Sequence, residues 1–348
     1  MAQSLIQTAK NFGTEEQCLA YLEAMRWPDG IRCLKCGSDK VAKIITNETT
    51  RERTNRKGEI KEVRVPARRL YQCNNDGCRY QYSATTGTIF DKSHLPLAKW
   101  FMAVALIANA KKSVSAKQMQ RDLGVNYRTA WFLDHRIREA MQDGTLGLFG
   151  GTVEVDATFV GGRFDPRRKR AAYDKQAVAG VMQRGTEDGP SKVKAFPVER
   201  EIKQVMTGIV QDHIAPGTDI MTDDHKAYIS LGKSGWKHQI VSHSKEEWVR
   251  GQVHTQGIES FWSLFKRGLI GSFHSVSVKH LHRYLNEFSF RFNQRECEDL
   301  FALIIMNLAI GNALRYKALI AKTSSEQLVV EAKERYDAER DQENGDPQ

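Results

Sequence analysis

The sequence predicts a mixed α/β protein in which a small cysteine-pinned ribbon and a run of three helices precede a larger α/β domain. Three observations carry that prediction. Four of the six cysteines fall in two pairs near the front, Cys33 with Cys36 and Cys73 with Cys78. Apolar residues then recur at helical spacing from Leu95 to Met141. Beyond a glycine-rich stretch at residues 144–151, short β-prone runs alternate with helical periods.

With 348 residues and 41% hydrophobic content the chain can bury two or three compact cores. No apolar run approaches the roughly 18–20 residues that span a bilayer. Residues 1–12 lack the basic-then-apolar layout of a signal peptide. A soluble, cytoplasmic protein with no membrane partner is expected. The net charge of +10 is unevenly spread. Residues 1–150 hold 24 Lys and Arg against 15 Asp and Glu, and the remainder 28 against 27. The front of the chain therefore faces a polyanion, or is simply a solvated basic surface.

Taken in order, residues 14–25 read as a helix, with Thr14 and Gln17 at capping-box spacing. Pro28-Asp29-Gly30 is a turn. Residues 51–69 carry eight Lys and Arg against three Glu, with strand-like alternation around Lys61–Val65. Helices follow from Pro96, from about Ser115 to Gly124, and from Tyr127 to Met141. Strands are expected at residues 152–160, 177–183, 193–198, 219–222 and 238–243, with a helix at 200–214. Helical pattern returns at 257–266, 278–292 and 300–320. The tail from Glu326 has eight acids against three bases and is expected to fray and lose order. The resulting domains are 1–94, 95–145, 146–296 and 297–348.

In a cytosolic chain the cysteine pairs suggest metal rather than disulfides. Cys33-x2-Cys36-Gly37 matches a zinc knuckle, and Cys73-x4-Cys78 supplies the other two thiolates of a closed, structural zinc site. Four unrelated buried cysteines are the bland alternative. Ser115 to Trp131 has helix-turn-helix layout, with Gly124 at the turn, Val125 as apolar plug, and Asn126, Arg128 and Thr129 facing outward toward bases or phosphates. An ordinary three-helix packing unit is the alternative. The run Arg167-Arg168-Lys169-Arg170 is either a DNA-backbone patch or a solvated loop.

Three acids stand where a metal-dependent phosphoryl-transfer site would draw them from separate elements. Asp156 lies mid-strand, on the face shared by Glu154 and Thr158. An acid in a β-rich run is disfavoured unless it has a job. Asp223 ends a short strand, and Glu259 opens a helix. Lys266 lies seven residues after Glu259, on the same helical face.

Asp156, Asp223 and Glu259 resemble the DDE triad of ribonuclease-H-like transposases. More of the chain, about residues 12–295, resembles bacterial insertion-sequence transposases of the ISXO type with an N-terminal zinc ribbon. The resembling segments are Phe12–Glu16 with Arg26–Gly30, Thr86–Phe90 with Leu95–Leu97 and Trp100, Ser115–Trp131, and Val155-Asp156 with Val160–Gly162. The most specific block is His254–Glu259 through Phe261-Trp262 and Lys266–Gly268 to Lys279–Leu281, Tyr284 and Arg291–Asn293. Ala157 and Gln256 depart from residues common in that group. The resemblance implies a ribonuclease-H-like catalytic core and two divalent ions, magnesium with manganese as a substitute. Asp156, Asp223 and Glu259 would hold these ions, with Lys266 on the DNA backbone. It also implies double-stranded DNA, both terminal repeats and target, as the partner, a homo-oligomer on DNA, and a nucleoid location. An inactive DNA-binding regulator and a junction or hybrid nuclease are the rival functions. His243, His254, His274 and His280 are expected to pack or touch phosphate rather than shuttle protons. Trp248, Phe261 and Trp262 are expected in the core.

Overall fold

A computed structural model of the chain describes residues 4–54, 58–65, 67–142, 146–161, 175–187, 189–233, 235–311 and 314–321. The basic run Arg167–Arg170 and the acidic tail from Glu326 lie outside the described residues.

The order begins α1 (Leu5–Asn11), α2 (Glu15–Arg26), β1 (Val41–Thr46), β2 (Thr49–Thr54), β3 (Ile60–Val65), β4 (Arg68–Cys73), β5 (Gln81–Tyr82) and α3 (Leu97–Asn109). It continues α4 (Ala116–Leu123), α5 (Tyr127–Ala140), β6 (Thr152–Val160), β7 (Gln176–Gln183), β8 (Lys192–Val198), α6 (Lys203–His213), β9 (Asp219–Thr222) and β10 (Lys237–Ile240). The last helices are α7 (Gln256–Gly268), α8 (Leu281–Asn293), α9 (Leu300–Ile310) and α10 (Tyr316–Ile320). The chain divides into two compact units, Met1–Asn109 with Asp299–Ala313, and Ala110–Glu298 with Leu314–Gln348.

In the first unit, the expected capping box opens α2: Thr14 caps Gln17 N–H while Gln17 returns a bond to Thr14 N–H. Glu15, in the first turn of α2, accepts Leu97 N–H at 2.8 Å and so satisfies the start of α3. Phe12 lies 4.8 Å from Phe101 and 5.6 Å from Phe301, centroid to centroid, and these rings fill the core between α1, α3 and α9. The boundary at residue 95 expected from sequence is not where the units part. Trp100, Phe101, Ala103, Val104, Ala105 and Ile107 are all buried. A helix so apolar on every side needs neighbours all round, and α1, α2 and α9 supply them. Only α4 and α5 of the expected 95–145 domain fall in the second unit. Strands β1, β4 and β5 make an antiparallel sheet, while β2 and β3 form a separate exposed two-stranded arm.

The second unit is built on a five-stranded sheet of order β10-β9-β6-β7-β8. The β6–β7–β8 meander is antiparallel, and β9 and β10 add in parallel on the other side of β6. Side-chain alternation splits β7 cleanly. Ala177, Ala179 and Val181 join Val153, Val155 and Ile220 under Met206 and Val210 of α6. Val178 and Met182 face Ile258, Phe261, Trp262 and Phe265 of α7, with Leu285 and Phe288 of α8 behind them. Helices α5 and α8 share a buried ion pair, Arg138 Nε to Glu287 at 2.8 Å, with the guanidinium 4.3 Å from the Tyr284 ring centre. The single helix expected over 300–320 is two helices, with Gly311 ending α9 in extended backbone.

Candidate active site and metal centre

The first of the three candidate acids, Asp156, is positioned by the sheet. On β6, Glu154 and Asp156 are two residues apart and project to the α7 face. They meet Ile258 and Trp262, four apart on α7. Glu154 accepts Ile258 N–H at 2.8 Å, and Asp156 accepts the Trp262 indole N–H at 3.0 Å. Two strand residues and one helical turn span about the same distance, roughly 6–7 Å, so both bonds form without bending either element. Glu154 is thus the acceptor for a free N–H in the first turn of α7, favoured there by the helix dipole. Its other oxygen receives Arg184 Nε at 2.7 Å, and Arg184 also holds the carbonyls of Gln252 and His254 at 2.7 Å each.

Gly180 explains how the indole reaches Asp156. It pairs with Asp156 across the sheet, and a Cβ there would sit 2.5 Å from Trp262 Cζ2. Only a residue without a side chain leaves room for the ring.

Asp156 is half-buried on the central strand. Burial, then the Asp223 charge, push its carboxyl up to about 7, with Glu201 adding to the effect. The opposing pull of its own hydrogen bonds is weaker. Asp223 follows the end of β9 and accepts His225 N–H at 3.1 Å. Glu259 lies in the first turn of α7, exposed, and accepts Thr255 Oγ1 at 2.9 Å with His243 Nε2 at 3.7 Å. Lys266 is exposed two turns further along α7.

The fold therefore couples Asp156 electrostatically to Asp223 and links it to the Glu259 helix through Trp262. It does not gather these acids tightly. Among the described residues, only the four cysteines place three or more ligand atoms within 4.8 Å of one another. Two ions a few ångströms apart need a wider ring of donors than one ion does, since each carboxylate serves only part of the pair.

Sequence reasoning missed Glu201. It lies ahead of α6, accepts Tyr228 OH at 3.0 Å, sits 3.1 Å from His225 Nδ1, and feels the Asp223 charge. Burial raises its pKa first, and the Asp223 charge adds to that. No local pattern marks it, because its neighbours come from β9 and the turn after it. Trp248 is a correction: it is 57% exposed, not core, and packs tilted against His243 at 4.6 Å beside Glu259. Phe261 and Trp262 are buried as expected. His254 serves the Arg184–Glu154 network, and His280 packs against Trp131 and His135.

In the ribbon, Cys33 and Cys78 sulfurs are 3.7 Å apart and Cys36 and Cys73 sulfurs 3.6 Å. A tetrahedral zinc with bonds of about 2.3 Å has sulfur edges of about 3.8 Å, so the thiols fit that ion. The N–H groups of Lys35 and Asn75 point at Cys33 and Cys73, each at 3.4 Å, as knuckle turns require. Burial opposes ionisation of Cys33, but the surrounding N–H and thiol groups hold it down at about 6.

Of the outward residues expected on the helix-turn-helix, Asn126 caps α5 by accepting Thr129 N–H at 2.8 Å. Arg128 donates to Tyr316 OH at 3.0 Å and lies 4.4 Å from that ring centre. Gly124 ends α4 in the left-handed region, φ +58°.

Two segments of the chain match known domain families. Residues 148–293 match the ISXO2-like transposase domain, and residues 13–81 match the transposase zinc-ribbon domain. The chain is 26% identical over 301 residues to an uncharacterized protein in transposable element ISH50 of Halobacterium salinarum, covering 81% of this chain and 92% of that one. It is 27% identical over 113 residues to an uncharacterized transposase-like protein of Haemophilus influenzae, covering 32% of this chain and 90% of that one. The resemblance to insertion-sequence DDE transposases with a zinc ribbon, read first from the motifs, is shown by both domain matches. Among the described residues no helix is long and apolar enough to cross a membrane.

Proposed function

We propose that this chain is a transposase that binds the terminal repeats of an insertion element and catalyses divalent-metal-dependent DNA cleavage and strand transfer. The observation that carries the reading is Asp156. It is a half-buried carboxylate on the central strand, raised to about 7 by burial and then by Asp223, inside a domain matched to transposases. A site short of positive charge is what a cation-binding acid pair looks like without its cation.

The strand order, a three-strand meander flanked by two parallel strands, supports the ribonuclease-H-like reading of the core. The donors are all carboxylate oxygens, which suit magnesium, or manganese as a substitute. Asp156, Asp223 and Glu259 would hold two such ions, which supply Lewis acidity and an activated hydroxyl nucleophile when bound. The chain's own part is orientation. Trp262 fixes Asp156, His225 N–H fixes Asp223, and Thr255 fixes Glu259. Glu154 and Arg184 set the α7 start, and therefore the height of Glu259 above the sheet. Exposed Lys266 would meet a backbone phosphate, and Trp248 offers a face to an unpaired base.

The α4–Gly124–α5 arrangement supports a helix-turn-helix that reads duplex DNA with the first turn of α5, where Arg128 and Thr129 stand. The exposed β2–β3 arm carries Arg51, Arg53 and Lys61 and would track phosphates. Joining two element ends calls for a homo-oligomer on DNA at the nucleoid, and zinc in the ribbon would be structural. The decisive experiment compares wild type with Asp156→Asn on duplexes carrying the element's own ends. Magnesium-dependent nicking and joining should disappear while duplex binding persists. Binding without any nicking by wild type would favour the inactive-regulator reading. Full joining by the variant would remove Asp156 from the mechanism.

A further inference from the structure

We propose that a second site in this unit, a cavity between α4, α5 and the segment 269–277, receives an unpaired nucleotide of the DNA. Its base would lie against Trp131 and its phosphate at the start of α4. The proposal rests on the DNA reading above and adds a subsite to it.

The cavity holds about 870 Å³, within the range of pockets that enclose small ligands. One wall is aromatic: Tyr127, Trp131, Phe273, His280 and Tyr284 all line it. Trp131 meets His135 at 4.4 Å and His280 at 5.2 Å, both edge-to-face. Among the described residues no ring lies parallel on its indole. A flat base would gain the stacked contact that these neighbours leave unmade.

The lining is also cationic. Lys117 and Arg121 line the cavity from α4, and Ser115, the cap of that helix, stands at its edge. The Ser115 side chain is spent on Gln118 N–H, so the N–H groups of Ala116 and Lys117 have no partner inside the helix. An anion placed there meets two donors, a helix dipole and a lysine together. Aromatic rings and basic side chains thus line one cavity, the two kinds of partner a nucleotide needs for its base and its phosphate.

The floor supplies an independent observation. His135 lines the cavity, is completely buried, and neither ring nitrogen has a hydrogen-bond partner. Burial, then the Arg138 charge, hold it neutral, with its pKa pushed down to about 2. A neutral imidazole offers one donor and one acceptor. Leaving both unused in the interior is costly, and a polar group on a base edge would satisfy one of them. The cavity rim also contains two non-glycine residues in the left-handed region, Ser113 at φ +70° and His274 at φ +59°. Such strained backbone persists where the surroundings hold it in place.

The test uses the full-length, zinc-loaded protein and fluorescence anisotropy with two 30-base-pair probes, about three helical turns each. One probe is blunt, and the other is forked by unpaired thymidines on both strands. The forked duplex should bind about tenfold tighter, the scale of stacking an unpaired base. Ser275→Trp, which fills the mouth from an exposed position, should bring the ratio to about one without weakening blunt binding. Trp131→Ala should remove the same increment. Thymidine monophosphate at millimolar concentration distinguishes the ligand's source. If it erases the increment, the pocket takes free nucleotides as well. If it does not, the pocket needs a strand. Equal binding of the two probes by wild type overturns the proposal, and so does a preference that survives both variants. Wild type that binds neither probe would instead overturn the DNA reading beneath it.

Discussion

Replacing Asp156 by Asn should make the metal-free protein more stable while removing its chemistry. The side chain keeps its shape, and its oxygen can still accept the Trp262 indole N–H. What disappears is a charge that burial, and then Asp223, disfavour. Moving a carboxyl from 3.8 to about 7 corresponds to roughly 4 kcal/mol at full ionisation. Asp156 is partly exposed, so solvent screening reduces the expected gain to about 1–2 kcal/mol. The sign fixes the pH window. Folding raises this pKa, so wild type has its full stability from this group below about 4. It loses that contribution as pH rises to about 7, after which the loss is constant. The assay is thermal melting of both proteins in a chelator that spares zinc, at pH 5.5 and pH 8. The variant's advantage should be about twice as large at pH 8. Adding magnesium should then raise the wild-type melting temperature and leave the variant unmoved. A variant that melts no higher than wild type at pH 8 would refute the claim that Asp156 is held against its own ionisation.

Three further expectations concern the supports. Glu154→Ala leaves half-buried Arg184 without its carboxylate and the α7 start without its acceptor, and should cost about 3 kcal/mol in urea unfolding. Gly180→Ala drives a Cβ into Trp262 and should cost about 1–3 kcal/mol. Cleavage should fall at least tenfold in that variant with duplex affinity unchanged, and equal cleavage would show that the indole does not position Asp156. Cys73→Ser should abolish the one zinc per chain measured by atomic absorption and expose the first unit to proteolysis, since a small metal-pinned unit folds with its ion.

Local chemistry made much of this protein legible in its sequence. The Thr14 capping box, the Ser115 and Gly124 ends of α4, and the alternation of β6 depend on residues within a few positions of each other, so each can be read without the fold. The cysteine spacing likewise predicts a knuckle whose thiols the structure does bring together. Relations set by long-range packing were not legible. Apolar periodicity shows that α3 is buried but not against what, and its partners α1, α2 and α9 lie far apart along the chain. Trp248 has the composition of a core residue, and only the path of its loop leaves it exposed. Glu201 joins the acids through Tyr228 and His225, neither of which is near it in sequence. The sequence alone determined which residues carry charge, cap helices and pair their thiols, because those are properties of side chains and near neighbours. Tertiary structure alone decided that Asp156 is pressed by Asp223 and held by Trp262 over Gly180. A shifted pKa and a steric opening both arise from groups that meet only when distant segments are folded together.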